Sequence, residues 1–518
     1  MANKSLFASY VGKLVPKASG KNREGAPAYA LLPKHQLAQI AATGALSRTF
    51  YAAAREQLED VTALAGQVSP RFMAQAAIWA RKRGHMKDMP ALLLAVLSTQ
   101  DPVLLARAFP RVIDNGRMLR TFVQIMRSGA VGRKSLGSRP KALVQAWLNS
   151  ASDEEILRAA VGQSPSLADV IRMVHPKPAS AERKALYAYL IGKPYDVAMI
   201  PAAVQAFEAF KRDARAPVPD VPFQMLTALE LTPQHWAGIA KSAGWQMLRM
   251  NLNTFNRQGV FALDGFAKMI ANRLSDPAEI AKSRVLPYQL MAAYMAASRD
   301  VPGIVREALQ DAMEASIANV PAIAGNLVIC PDVSGSMGSP VTGVRRGATS
   351  AVRCIDVAAL VAAAMLRANR AAHVLPFDND VVEVGLNPRD TVLTNAGKLA
   401  AIGGGGTNCS APLARLNAQR ANVDLVVFVS DNQSWIDARR AAQGTGVMAE
   451  WTKLRYRNPE AKLVCIDIQP YGTTQAPERD DILNVGGFSD AVFEVVAKFA
   501  SRRLDPGRWV AEIEKIEV

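Results

Sequence analysis

The spacing of apolar residues changes near residue 321, and that change decides what this chain can fold into. Before it, apolar residues recur at three- and four-residue steps, as in Ser69–Lys82, Met89–Thr99, Lys141–Leu148 and Ala181–Ile191. This is the period of a helix that buries one face. Breaks such as Ser69-Pro70, Asp101-Pro102, Gly137-Ser-Arg-Pro140 and His175-Pro-Lys-Pro178 separate the segments. Helices with short breaks stack as pairs, which predicts an all-α helical-repeat solenoid over residues 31–320. No fixed repeat length recurs, so the repeat is degenerate. Residues 1–30 are basic and turn-rich, with Lys13, Lys17, Lys21 and Arg23, and read as an N-terminal arm.

After residue 321 short apolar runs alternate with helical stretches. Leu327–Cys330, His373–Phe377, Val381–Val384, Asp424–Val429 and Leu463–Ile468 are expected strands. Ile355–Arg370, Ala411–Arg420, Met448–Tyr456 and Asp490–Phe499 are expected helices. Apolar strands alternating with helices give a mostly parallel sheet covered on both faces, an α/β domain over residues 321–518.

Ligands of such a sheet sit beyond the carboxyl ends of the strands, and three loops here have chemistry suited to that place. Asp332-Val-Ser-Gly-Ser336 follows the first strand, Gly403-Gly-Gly-Gly-Thr-Asn408 precedes a helix, and Ser430-Asp431 closes the most apolar strand. Hard cations such as Mg²⁺ prefer oxygen ligands, and these loops offer two carboxylates and several hydroxyls. The run of glycines lets the backbone turn tightly enough to bring Thr407 close. Pro331 removes one N–H at the strand end and precedes the ligands, so it leaves the loop intact. His373 falls in a strand and is expected in the core. No general base with a nucleophile accompanies the loops, and no HExxH, P-loop or G-x-S-x-G pattern occurs, so no enzyme is expected.

Net charge is +16, and its distribution is uneven. Residues 1–320 carry 40 Lys and Arg against 24 Asp and Glu, whereas residues 321–518 carry 21 of each. A basic helical part beside a neutral α/β part points to a polyanionic partner for the first. Cations are densest between Arg111 and Lys141, where Asp114 is the only acid. The Gly- and Ser-rich turn from Arg127 to Pro140 suits phosphates, because small residues allow close approach and Arg forks bind two oxygens at once. With few aromatics and no RRM, KH or zinc-knuckle pattern, base stacking of the kind those modules use is not expected.

The four cysteines, Cys330, Cys354, Cys409 and Cys465, have neither CxxC nor zinc spacing and read as small buried residues of a reducing compartment. The first residues lack a secretory leader pattern, and no apolar run of about 18 residues occurs, so a cytoplasmic protein without a membrane span is expected.

The order D-x-S-x-S, Gly-Gly-Thr, Ser-Asp resembles the metal-ion-dependent adhesion site of von Willebrand factor A domains. By that resemblance Ser334, Ser336 and Thr407 would touch a divalent metal cation through hydroxyls, and Asp332 and Asp431 would hold it directly or through water. Mg²⁺ is the expected ion, with Mn²⁺ or Ca²⁺ as alternatives. A basic helical part followed by such a domain resembles the Ro ribonucleoprotein family, whose helical part is the TROVE module. Arg127–Leu148, Asp169–Pro178 and Pro222-Phe-Gln-Met-Leu226 carry this likeness, together with the three loops.

The resemblance implies HEAT-like repeats closed into a monomeric ring beside a Rossmann-like von Willebrand A domain. It implies binding of small noncoding Y-like RNA and of single-stranded 3′ ends of misfolded RNA. It also implies work with an exoribonuclease such as polynucleotide phosphorylase in noncoding-RNA quality control. Arg127, Arg133, Lys134, Arg139, Lys141, Arg172, His175 and Lys177 are the expected RNA-binding residues. The alternative is a protein-interaction module that pairs its metal site with an AAA+ ATPase in complex assembly or metal insertion.

Overall fold

The computed structural model describes residues 14–44, 46–162, 164–283, 285, 287–316, 320, 322–344, 352–438, 444–487, 490–501 and 508–518. The chain divides into two compact units. One comprises Met1–Val68, Arg284–Ala296 and Gln310–Glu517; the other comprises Ser69–Ser283, Ala297–Leu309 and Val518. The expected divisions at residues 30 and 320 do not coincide with these units. Residues 1–13 of the expected arm lie outside the described residues.

The second unit is all-α. Its helices begin where the sequence places caps. Ser69 accepts from the Phe72 N–H (3.2 Å) ahead of the helix Pro70–Lys82, and Asp101 accepts from the Val103 and Leu104 N–H groups (both 2.9 Å) ahead of Pro102–Val112. Such caps satisfy backbone donors that a helix start leaves free, at about 1 kcal/mol each. Pro70–Lys82 packs on Asp88–Gln100, and Asp88–Gln100 on Gly116–Ser128. Phe109 and Phe122 meet edge to face at 5.2 Å within this core. Successive helices stacked on their neighbours form the helical-repeat architecture that the three- and four-residue spacing predicts.

The first unit is built around a five-stranded parallel sheet. Its strands are β1 (Gly20–Lys21), β2 (Pro27–Ala30), β3 (Leu327–Pro331), β4 (His373–Val374), β5 (Leu425–Ser430), β6 (Lys462–Asp467), β7 (Thr473–Thr474) and β8 (Ile482–Gly486). The parallel sheet has the order β4-β3-β5-β6-β8. Every residue of β3, β5 and β8 is buried, because helices cover the sheet. The helix Cys354–Ala368 packs on β3 and is buried along most of its length. A second, antiparallel ladder, β1-β2-β7, joins residues 20–30 to residues 473–474, with Tyr29 opposite Thr474. The helix Pro33–Thr43 then packs on β8. These contacts place the segment around residues 20–43 in the sheet unit.

Three readings of the sequence change. Val381–Val384 is not a strand: the chain turns at Asp378–Asp380, with the Asp378 N–H bonded to the Asp380 carbonyl (3.0 Å), and folds Val381 back on Phe377. His373 lies on the edge strand and is exposed, not in the core. The strand β8 went unread. All four cysteines are free and buried. Among the described residues no helix is long and apolar enough to cross a membrane.

Candidate metal site and cationic helical surface

The ladder β3-β5 sets Cys330 opposite Phe428 and Pro331 opposite Val429, so their loops leave the sheet side by side. The Asp332 N–H donates to the Val429 carbonyl (3.0 Å), and the Ser430 hydroxyl donates to Asp332 Oδ2 (2.6 Å). The Ser334 N–H donates to Asp332 Oδ1 (2.9 Å), which curls the loop and leaves the Ser334 and Ser336 oxygens 3.4 Å apart. Two backbone bonds fasten the glycine loop to this turn, from Gly335 N–H to Gly405 O and from Gly404 N–H to Val333 O, each 3.1 Å. The Thr407 carbonyl accepts from the Trp435 and Ile436 N–H groups (3.1 and 3.2 Å), and the Cys409 N–H donates to the Ser434 hydroxyl (2.9 Å). Each of the three loops is thus tied to the other two.

The glycine run has a steric origin. Gly403, Gly404 and Gly405 all have positive φ, and a Cβ on Gly406 would lie 2.6 Å from both Trp435 and Ile436 side chains. Asp332, Ser334, Ser336, Thr407 and Asp431 lie on these three linked loops, and all are buried, with Ser336 the most exposed at 7 %.

Burial raises the Asp332 carboxyl above its usual range, against the hydrogen bonds from Ser334 and Ser430. Asp431 is raised by burial and next by the Asp332 charge. Asp467, opposite Ser430 across the β5-β6 ladder, is pushed up to about 7 by burial, against weaker opposing contributions from Asn432 and the Gln469 backbone. Among the described residues none of these acids has an ion pair. Buried carboxylates without counter-charge are costly, and a divalent cation would remove that cost. The donor set fits a hard ion. Cys354 and Cys409 stand nearby, but burial pushes both thiols up and keeps them neutral, leaving oxygen ligands alone. Among the described residues no cluster of three or more His, Cys, Asp or Glu could hold a metal, so the site depends on its hydroxyls.

In the helical unit the expected RNA-binding residues fall on two neighbouring segments. The helix Leu167–Val174 packs on Gly116–Ser128 and on Ser138–Ser150. Gln145 Nε2 donates to the Val174 carbonyl (2.6 Å), which holds the turn at His175 beside the helix Ser138–Ser150 that carries Arg139 and Lys141. Arg127, Lys134, Arg139, Arg172, His175 and Lys177 are exposed and Lys141 is half-buried. Lys134, Arg139, Lys141 and Lys177 have no ion pair among the described residues.

Two of the eight also serve the fold. The Arg133 guanidinium donates to the Ser98 carbonyl (3.0 Å) and pins its loop to Asp88–Gln100. Arg172 donates to the Ile191 carbonyl (2.7 Å) and pairs with Asp169 (3.5 Å). His175 ends its helix with φ +50°, a left-handed position. A second cationic group lies around Lys87, whose ammonium is driven down by burial and then by Arg117 and Arg81.

Sequence reading missed Tyr51, whose hydroxyl pKa is raised by burial and next by the charge of Asp431. No local signal could reveal it, because nearly three hundred residues separate it from the loop that carries Ser336.

Residues 326–500 match the family described as the Ro60 vWA domain. The chain is 25% identical to the RNA-binding protein RO60 of Deinococcus radiodurans, over 93% of this chain and 95% of that protein. It is 23% identical to the RNA-binding protein RO60 of Caenorhabditis elegans over 45% of this chain and 37% of that one. The crystal structure of the Deinococcus radiodurans RO (RSR) protein superposes with a TM-score of 0.59 at 22% identity, covering 91% of this chain and all of that one. The chain therefore resembles the Ro ribonucleoprotein family in both parts: a helical-repeat unit and an α/β von Willebrand A unit.

Proposed function

We propose that the chain is a non-catalytic RNA-binding protein of the Ro type, in which the helical unit holds RNA by its phosphates. The observation that carries this reading is the charge split: of the net +16, the helical unit carries 31 Lys and Arg against 18 Asp and Glu. Two unpaired cationic segments, around Lys134–Lys141 and at Lys177, lie beside each other through helix packing. The relatives named RNA-binding protein RO60 support it. Lys and Arg that lack acid partners release counterions when they meet phosphates, which favours binding without base readout.

In this proposal the RNA is a small noncoding Y-like RNA together with single-stranded 3′ ends of misfolded RNA, the helical repeats close into a monomeric cytoplasmic ring, and an exoribonuclease completes the work. The three-loop site holds Mg²⁺ through Ser334, Ser336 and Thr407, with Asp332 and Asp431 supplying charge. The ion contributes charge neutralisation there, not chemistry on RNA. The Ser430 hydroxyl and the Ser334 N–H aim the Asp332 carboxyl and oppose the rise in its proton affinity that burial causes.

The test is to purify the protein from its cells, sequence the RNA that accompanies it, and measure affinity for that RNA as salt rises. Enrichment of one structured small RNA, with affinity falling steeply between 50 and about 200 mM salt, is the expected result. Protein that carries no structured RNA and ignores salt would end the proposal.

A further inference from the structure

The proposed cation ligands are covered by this chain's own N-terminal segment. Two stretches of that segment rest on two of the three loops. At residues 22–23, Asn22 Nδ2 donates to the Ser434 carbonyl (2.6 Å) and the Arg23 N–H donates to Gln433 Oε1 (2.8 Å), just past Asp431. Gln433 is fully buried. At residues 47–51 the chain lies along the loop that carries Ser334 and Ser336. The Val344 N–H donates to the Arg48 carbonyl (2.7 Å), and a Cβ on Gly343 would meet Ser47 Cβ at 2.7 Å. The Tyr51 ring packs edge to face on Tyr471 at 5.3 Å, and Glu24, Ser336 and Asp431 all bear on the proton affinity of its hydroxyl, which burial raises.

An adhesion-type cation site works between proteins only when one position of the ion stays open to a partner's carboxylate. Here the hydroxyl ligands are buried, and the segment tied across their loops at residues 22–23 and 48 belongs to the same chain. Glu24 is itself exposed, so it can shift without disturbing the core. Carboxylates and phenols one step beyond the ligands orient the inner shell and tune its affinity.

We infer that the three-loop site is an intramolecular fastener, its cation closed over by Tyr51 and Glu24 so that metal binding locks residues 22–51 onto the sheet unit and leaves no position for a partner's carboxylate. This rests on the reading of the loops as a divalent-cation site. It disfavours recruitment of an acidic partner, such as an AAA+ ATPase, through that ion.

The experiment uses the full chain with Mg²⁺ as probe. Mg²⁺ binding is titrated calorimetrically for wild type, Tyr51→Phe, Glu24→Gln and Asp431→Ala, and amide exchange is followed at residues 22–24 and 46–52 with Mg²⁺ and with chelator. The expected result is slowed exchange in both stretches with Mg²⁺, affinity about tenfold weaker in Tyr51→Phe and Glu24→Gln, and no binding in Asp431→Ala. If wild type binds Mg²⁺, Asp431→Ala does not, and both other variants and the exchange rates match wild type without the ion, the fastener is overturned while the cation site stands. If an Asp-containing peptide raises the Mg²⁺ affinity of wild type, an open position exists and the fastener is again overturned. If wild type binds no Mg²⁺, the cation reading and the fastener fall together.

Discussion

Asp332 and Ser430 close the gap between β3 and β5 with a 2.6 Å hydrogen bond from the serine hydroxyl to Oδ2. The bond holds the carboxylate against the third loop, where Asp431 already sits; burial raises the proton affinity of both, and the Asp332 charge raises that of Asp431 further. Without a cation this pairing costs stability, and with one it becomes an asset.

Mg²⁺ should therefore raise thermal stability of the sheet unit. At roughly a hundred times its dissociation constant a ligand specific to the folded state adds about 2.7 kcal/mol. This corresponds to a rise of about 5 to 10 °C in Tm for a unit of this size. Asp332→Ala and Ser336→Ala should abolish the Mg²⁺-dependent rise, and excess chelator should reverse it in wild type. An equal rise in wild type and Asp332→Ala would place the ion elsewhere.

Gly116 starts its helix against Ala159, and a Cβ there would overlap the Ala159 side chain. Gly116→Ala should destabilise by about 1 to 3 kcal/mol, the usual cost of forcing atoms into a packed contact. Adding Ala159→Gly should recover part of the loss. Urea midpoints for the two single variants and the double variant measure this, and additive losses would show that the two residues do not collide.

What could be read from the sequence was local. The three loops were legible because each places its functional residues within a few positions of a strand end, and strands of Val, Ile and Leu such as Leu425–Ser430 announce themselves. The ladder β1-β2-β7 was not legible, because its strands have only two to four residues and β2 is held in turn by β7, hundreds of positions away. The fault at Val381–Val384 is of the same kind: the run is apolar enough for a strand, but the Asp378–Asp380 turn decides where it goes. Arg133 shows a third limit. Composition marks it as a phosphate ligand, whereas its guanidinium reaches back to the Ser98 carbonyl.

Stability should also fall as pH rises through weakly acidic values, with Glu478 as one source. Burial pushes its carboxyl up to about 7, against hydrogen bonds donated by the Asn484 backbone N–H (2.8 Å) and side-chain amide (2.9 Å). Between the unfolded value near 4.3 and about 7 the folded state holds the extra proton. Folding is therefore favoured at the acid end of that window and loses the advantage by neutrality. Glu478→Gln should remove roughly 2 to 3 kcal/mol of this pH dependence between pH 5 and about 8. Unfolding curves across the range check it, and an unchanged slope in the variant would assign the effect elsewhere.

The final prediction separates cations that meet RNA from cations that hold the fold. Lys134 and Arg139 are exposed and unpaired, so each is available to a phosphate. Replacing both with Ala should weaken binding to every RNA alike and lower the slope of log affinity against log salt by about 1.4 to 1.8, the release expected for two phosphate contacts. The helical unit should keep its unfolding midpoint. Arg133→Ala should behave in the opposite way. It strands the Ser98 carbonyl and frees the loop from Asp88–Gln100, so its main signature is a loss of about 1 to 2 kcal/mol in stability. Filter binding across a salt series, paired with unfolding of each variant, distinguishes the two. If the Lys134 and Arg139 double variant binds with an unchanged salt slope, the phosphates are held elsewhere in the helical unit, and the cations around Lys87 and Arg117 become the next to test.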